Sequence, residues 1–98
     1  MNWEFHPEAE MELVESALHY EEQVTGLGAR FADEVQRVIE LLLESPAMGV
    51  QVHGEIRRFL LRRFPFSVIY AVRTDTLSIL AVAHGSRKPG YWRARAGE

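Results

Sequence analysis

Residues 55–87, EIRRFLLRRFPFSVIYAVRTDTLSILAVAHGSR, constrain the fold more than any other stretch of this chain. Val, Ile, Leu, Phe and Tyr dominate it. It breaks where strands break, at Pro65, which cannot donate to a ladder, and at the polar Thr74-Asp75-Thr76. The pattern predicts three consecutive strands joined as an antiparallel meander. Strand side chains alternate between faces, so Phe66, Val68, Tyr70 and Val72 share one side and Ser67, Ile69, Ala71 and Arg73 the other. In the next strand the same alternation sets Leu77, Ile79, Ala81 and Ala83 against Ser78, Leu80, Val82 and His84. Both faces are then largely apolar. A sheet with one wet side alternates cleanly between apolar and polar, so here each face needs a cover.

The N-terminal half offers one cover. Trp3 and Phe5 alternate with Asn2 and Glu4 as a short strand, and Pro7 suits the first turn of a helix. Leu13, Ala17, Tyr20 and Val24, with Val14 and Leu18 beside them, recur at helical spacing. Thr25-Gly26-Leu27-Gly28 breaks that helix. A second helix over residues 29–44 carries Phe31, Val35, Val38, Ile39 and Leu42 in a stripe and stops before Pro46. The short connection makes the pair an antiparallel hairpin. Residues 46–54 read as a loop bent at Gly49 and Gly54, and residues 85–95, GSRKPGYWRAR, as a basic, aromatic tail broken at Pro89-Gly90. The expected architecture is α+β: an N-terminal strand and an antiparallel helical hairpin packed on a small antiparallel sheet. The 98 residues form one domain. One helical layer then serves two apolar sheet faces.

The chain contains no cysteine, which removes disulfides and thiolate metal sites. Its histidines, His6, His19, His53 and His84, have no ligand-like spacing, so no metal or other cofactor is expected. No apolar run approaches the about 20 residues of a membrane helix, and the acidic first 20 residues lack the basic and apolar regions of a secretory signal. A soluble cytoplasmic protein is the expectation. The net charge of −3 conceals a division: residues 1–52 hold two arginines against eleven acids, and residues 53–98 hold nine cations against three acids. Such asymmetry points the C-terminal half toward an anionic surface, or pairs the two halves across the fold.

The order strand, helical hairpin, meander and basic aromatic tail resembles the RelE/ParE superfamily of toxins from type II toxin–antitoxin pairs. FHPEAEMEL, GLGARFADEV, ESP, IRRF, FPFSVIY and AVAHGSRKPGYWRAR carry the likeness in that order over almost the whole chain. The resemblance implies growth inhibition, a role in plasmid stabilisation, and a cognate antitoxin that folds over part of the toxin. That antitoxin supplies the missing layer over Ile69, Ala71, Leu80 and Val82. The alternatives are self-association as a homodimer and a tail that folds back on Trp92; with the antitoxin, a hetero-oligomer is expected.

Two activities compete under this resemblance. ParE-like members bind and poison DNA gyrase, and RelE-like members cut mRNA on the ribosome. RelE-like nucleases place an arginine before the apolar-apolar-Tyr of the third strand, where this chain has Ser67 before Val68-Ile69-Tyr70, and an arginine in the loop after the last strand, where Gly85 falls and Arg87 lies two residues on; Tyr91 matches their C-terminal Tyr and Arg58 lies near a second-strand basic position. Another nuclease branch uses a carboxylate, Arg, His and Tyr, which His84, Arg87 and Tyr91 imitate. His84 also fits as a simple strand end. Arg58, Arg63, Arg87, Lys88, Trp92 and Arg93 combine cations with stacking surface and are the candidate contacts to target or nucleic acid. Ser67 and the acidic N-terminal half favour the protein-binding, ParE-like reading.

Overall fold

The computed structural model describes residues 1–97. Strand β1 (Asn2–Phe5) leads into helices α1 (Pro7–Gln23) and α2 (Leu27–Glu44). A 3₁₀ turn at Pro46–Met48 precedes strands β2 (Val50–His53), β3 (Ile56–Leu60), β4 (Phe66–Arg73) and β5 (Thr76–His84), and a last 3₁₀ turn spans Arg93–Ala96. The sheet order is β1-β5-β4-β3-β2, antiparallel except for the parallel β1–β5 pair.

Local chemistry explains the helix boundaries. His6 caps α1, its Nδ1 accepting from the Glu8 N–H at 3.1 Å, and Pro7 takes a first-turn position whose N–H would have no partner. Gly26 adopts φ 88°, the left-handed turn between the helices. The Glu21 carboxylate then reaches from α1 to accept from the Gly26 and Gly28 N–H groups at 2.8 and 3.0 Å, satisfying orphan donors at the start of α2. A side chain at Gly28 would collide with the Ala17 carbonyl, so the close helix crossing depends on this glycine.

The hairpin covers one sheet face. Phe31, Val35, Val38, Ile39 and Leu42 of α2 are buried against Val68, Tyr70, Leu77 and Ile79. At one end Tyr20, Phe31, Phe64 and Phe66 meet ring to ring at 4.8–6.2 Å between centroids. Helix α1 turns Leu13, Ala17 and Tyr20 inward but leaves Met11, Val14 and Leu18 more than half exposed on its outer side.

Three expectations require correction. First, residues 46–54 are not simply a loop, because Val50–His53 form the edge strand β2 against β3. Tyr70 sets its start: the hydroxyl donates to the Pro46 carbonyl at 2.6 Å and accepts from the Gly49 N–H at 2.9 Å. Gly49 is needed for its lack of bulk, since a Cβ there would strike the Tyr70 hydroxyl and the Arg58 carbonyl.

Second, the faces of β5 do not alternate throughout. Ile69 pairs with Ala81 and Tyr70 with Ile79, which leaves Leu80 as the extra residue of a β-bulge. Beyond it the parity is reversed. Val82 joins Leu77 and Ile79 in the core beneath the helices, while Leu80, Ala81 and Ala83 face the other way. A one-residue shift exchanges every later side chain between faces.

Third, the second face is not left open for a partner. Trp92 and Ala96, 6% and 7% exposed, lie in one cluster with Ile56, Ile69, Ala71, Leu80, Ala81 and Ala83. Ile69, Ala71, Leu80 and Val82, the four residues expected to await an antitoxin, are at most 3% exposed within the chain itself. Gly90, at φ 78°, turns the tail at Pro89-Gly90, and the chain continues into the 3₁₀ turn that carries Ala96 onto the sheet.

Candidate functional site

The tail is held by a single carboxylate. Strand β1 pairs with β5 only as far as Ile79, whose carbonyl accepts from the His6 N–H at 2.8 Å; past that point the outer edge of β5 has lost its neighbour. Side chains complete it. Glu12 of α1 accepts from the Val82 N–H at 3.0 Å, and Arg95 donates to the Leu80 carbonyl at 3.1 Å. Buried backbone groups at the bulge are thereby satisfied without a further strand.

Glu12 and Arg95 also bind each other in parallel bonds of 2.9 and 3.0 Å, the paired geometry that suits guanidinium and carboxylate. Their side chains are 14% and 11% exposed. Glu8, at 2.9 Å from Arg95, adds a second negative charge from the previous turn of α1. Between them sits Tyr91. Its hydroxyl donates to Glu12 at 2.7 Å, and its ring lies 3.8 Å from the Arg87 guanidinium and 5.0 Å from that of Arg95. Burial, reinforced by the hydrogen bond to Glu12 and by its charge, pushes the Tyr91 phenol up to about 12. The other side of the tail is tied by Arg73, which donates to the Ala96 carbonyl at 3.0 Å and pairs with Glu55 at 2.6 Å.

The expected catalytic residues lie around this arrangement. His84 and Arg87 line one open cleft of about 380 Å³, together with Glu12, Glu15 and His19. His84 is tied at one nitrogen: its Nδ1 accepts from the Ser86 N–H at 3.0 Å, and its ring stands edge-on to Phe66 at 5.0 Å. The Tyr91 proton is held against Glu12, and burial with that carboxylate raises the phenol's affinity for it. Ser67, 7% exposed, lies between Leu60 and Ala83 in the ladders and brings no cation to the sheet.

The expected target-binding residues are spread over the sheet, a turn and the tail. Arg58 lies opposite Ile69 on the outward side of the sheet, near the exposed Leu60. Arg63 stands in the turn after β3, lining a groove with α2. Arg87 stacks on Tyr91, and Lys88 and Arg93 are exposed on the tail. Trp92 packs in the second core, so it offers no stacking platform to a nucleic acid. Among the described residues no three acidic or histidine side chains come together as a metal site, and no helix is long and apolar enough to cross a membrane.

Sequence reasoning missed Glu12, Glu8 and Arg95 as a group. Glu12 reads as one of several acids in the first turns of a helix, where negative charge is ordinary. The available signal was its place three residues after the buried Ala9 and beside Leu13, on the flank of the inward stripe.

A β-sheet carrying a helical hairpin on one face and its own basic tail on the other defines a small two-faced α+β protein. The family model described as ParE toxin of type II toxin-antitoxin system, parDE, matches residues 3–89. The chain belongs to that family and is the toxin component of a type II toxin–antitoxin pair. Its fold is similar to a solved structure from the chromosomal ParDE TA system of P. aeruginosa, with a TM-score of 0.72, 19% identity, and coverage of 86% of this chain and 95% of that one. It is also similar to the isolated E. coli RelE toxin, with a TM-score of 0.65, 17% identity, and coverage of 98% and 96%. No curated protein sequence matches the chain.

Proposed function

We propose that this toxin stops growth in the cytoplasm by binding a macromolecular target, DNA gyrase, without catalysis of its own, and that a cognate antitoxin neutralises it. The observation that carries this reading is the engagement of Tyr91, whose hydroxyl donates to Glu12 at 2.7 Å inside the clasp that holds the tail. Ser67, uncharged and walled into the sheet where the RelE-like pattern has an arginine, supports it. The antitoxin then needs apolar surface other than Ile69, Ala71, Leu80 and Val82. Met11, Val14 and Leu18 on the outer side of α1 supply such surface, being 59%, 51% and 59% exposed.

The alternative, ribosome-dependent mRNA cleavage, is favoured by one observation, that His84 and Arg87 border the same cleft as Glu12. The test compares inhibition of gyrase supercoiling with mRNA cleavage in a translating extract. Gyrase inhibition that persists in Tyr91→Phe and His84→Ala is the expected result. Cleavage abolished by either substitution, with gyrase unaffected by the native chain, would reverse the assignment.

A further inference from the structure

The acidic half of the chain has only two cations, Arg30 and Arg37, and the fold puts both on the same wall. They line a groove of about 700 Å³ between α2 and the turn joining β3 to β4. Arg62 and Arg63 form the opposite wall. The floor is apolar, made by Leu27, Phe64 and Pro65. Glu34, the acid within the groove, is already engaged: Arg37 binds both its oxygens at 2.8 Å and the Arg62 N–H donates to it at 2.6 Å. Positive charge therefore dominates the walls, with Asp33 the remaining acid on the lining.

The turn presenting these arginines is rigid and strained. Arg63 has φ 66°, a region a side chain enters at a cost of about 1–2 kcal/mol and where glycine or asparagine would be easier. The geometry persists because both flanks are anchored. The Leu61 N–H donates to the Phe66 carbonyl at 3.0 Å and the Phe66 N–H to the Phe64 carbonyl at 2.8 Å. Phe64 itself sits against Tyr20 and Phe31, 5.1 Å from each ring.

We propose that this groove docks an acidic amphipathic segment of a partner protein, with a bulky apolar side chain on the Leu27–Phe64–Pro65 floor and carboxylates on Arg30, Arg62 and Arg63. Guanidinium groups bind carboxylates in pairs of parallel hydrogen bonds, and the apolar floor gives the segment's bulky side chain a contact beside them. A nucleic acid fits less well. The rings on the lining, Tyr20 and Phe64, are packed edge-on against each other, with Phe31 behind Phe64, and a phosphate backbone would leave the apolar Leu27 and Pro65 without a partner. The proposal stands whichever macromolecule the toxin acts on.

The probe is a fluorescein-labelled synthetic peptide of about 12 residues alternating glutamate pairs with Leu and Phe, a length typical of groove-binding segments. It is titrated by anisotropy against the full chain. Saturable binding is expected, weakened about tenfold or more by Arg30→Glu with Arg63→Glu, through loss of charge-assisted bonds. Leu27→Ser should weaken it without a charge change, and Lys88→Glu with Arg93→Glu, on the tail, should leave it within about twofold. The arginines are exposed, so circular dichroism should verify that both double variants fold. Absence of saturable binding, or equal loss in the tail variant, would overturn the proposal. So would tighter binding of oligouridine through the same arginines, or self-association in sedimentation that the groove variants abolish.

Discussion

Replacing Glu12 by Gln keeps the side chain's size and removes the charge on which the tail depends. Four donors converge on that carboxylate: the Val82 N–H, the Tyr91 hydroxyl, and two N–H groups of Arg95. Arg95 is only 11% exposed, so the substitution strands a largely buried cation. Removing one partner of a buried pair costs about 3–5 kcal/mol. Glu8 remains 2.9 Å from Arg95 and moderates the loss, which favours the lower end, about 3 kcal/mol. For a domain of this size that corresponds to a fall of roughly 12–24 °C in Tm. Chemical and thermal unfolding of Glu12→Gln measure it directly. Tyr91→Phe alone should cost about 1.5–3 kcal/mol, the value of a hydrogen bond to a charged acceptor. In the Glu12→Gln background the same change should cost less than about half as much, because the two residues share one interaction. Trp92 supplies an optical check: in a Trp3→Phe background, its emission should shift to longer wavelength as the tail loosens from Ile69, Ala71 and Leu80. Stabilities that add within about 0.5 kcal/mol, or a Glu12→Gln protein as stable as the parent, would refute the clasp.

Two further outcomes follow from particular groups. The Tyr91 phenol is raised above its unfolded value of 10.0 to about 12, so its contribution to stability is complete below pH 10 and disappears as pH rises through about 12. The alkaline limb of stability against pH should therefore flatten in Tyr91→Phe, with a difference on the order of 2 kcal/mol across that window. Tyr70→Phe should cost about 1–3 kcal/mol by leaving the Gly49 N–H and Pro46 carbonyl unpaired. Gly49→Ala should be destabilising too, and should stay so in the Tyr70→Phe background because the Arg58 carbonyl still blocks the new methyl group; urea unfolding of the three variants checks both.

Much of this molecule is legible without coordinates, because periodicity and chain-breaking residues are local properties. The stripe from Phe31 to Leu42, the turn at Gly26, the break at Pro65 and the polar turn at Thr74-Asp75 each depend on neighbours a few positions away, and each is found where the pattern puts it, although α2 begins at Leu27 and takes in Gly28. The need for a cover on both faces of β4 and β5 was equally a matter of alternation. What supplied the second cover was not. The bulge at Leu80 and the seating of Trp92 depend on the paired sheet, and the meeting of Glu12 with Val82, Tyr91 and Arg95 joins positions 70 to 83 residues apart, where no spacing rule reaches. The same holds for the groove, in which two scattered arginines of an acidic half face an arginine pair from the basic half. Sequence determined which segments are greasy and which are charged, since those are properties of single side chains and their immediate repeats. Only the tertiary structure decided which charges meet and which apolar face the chain keeps for itself, because those outcomes depend on where a tail, free to go several ways, loses least by stopping.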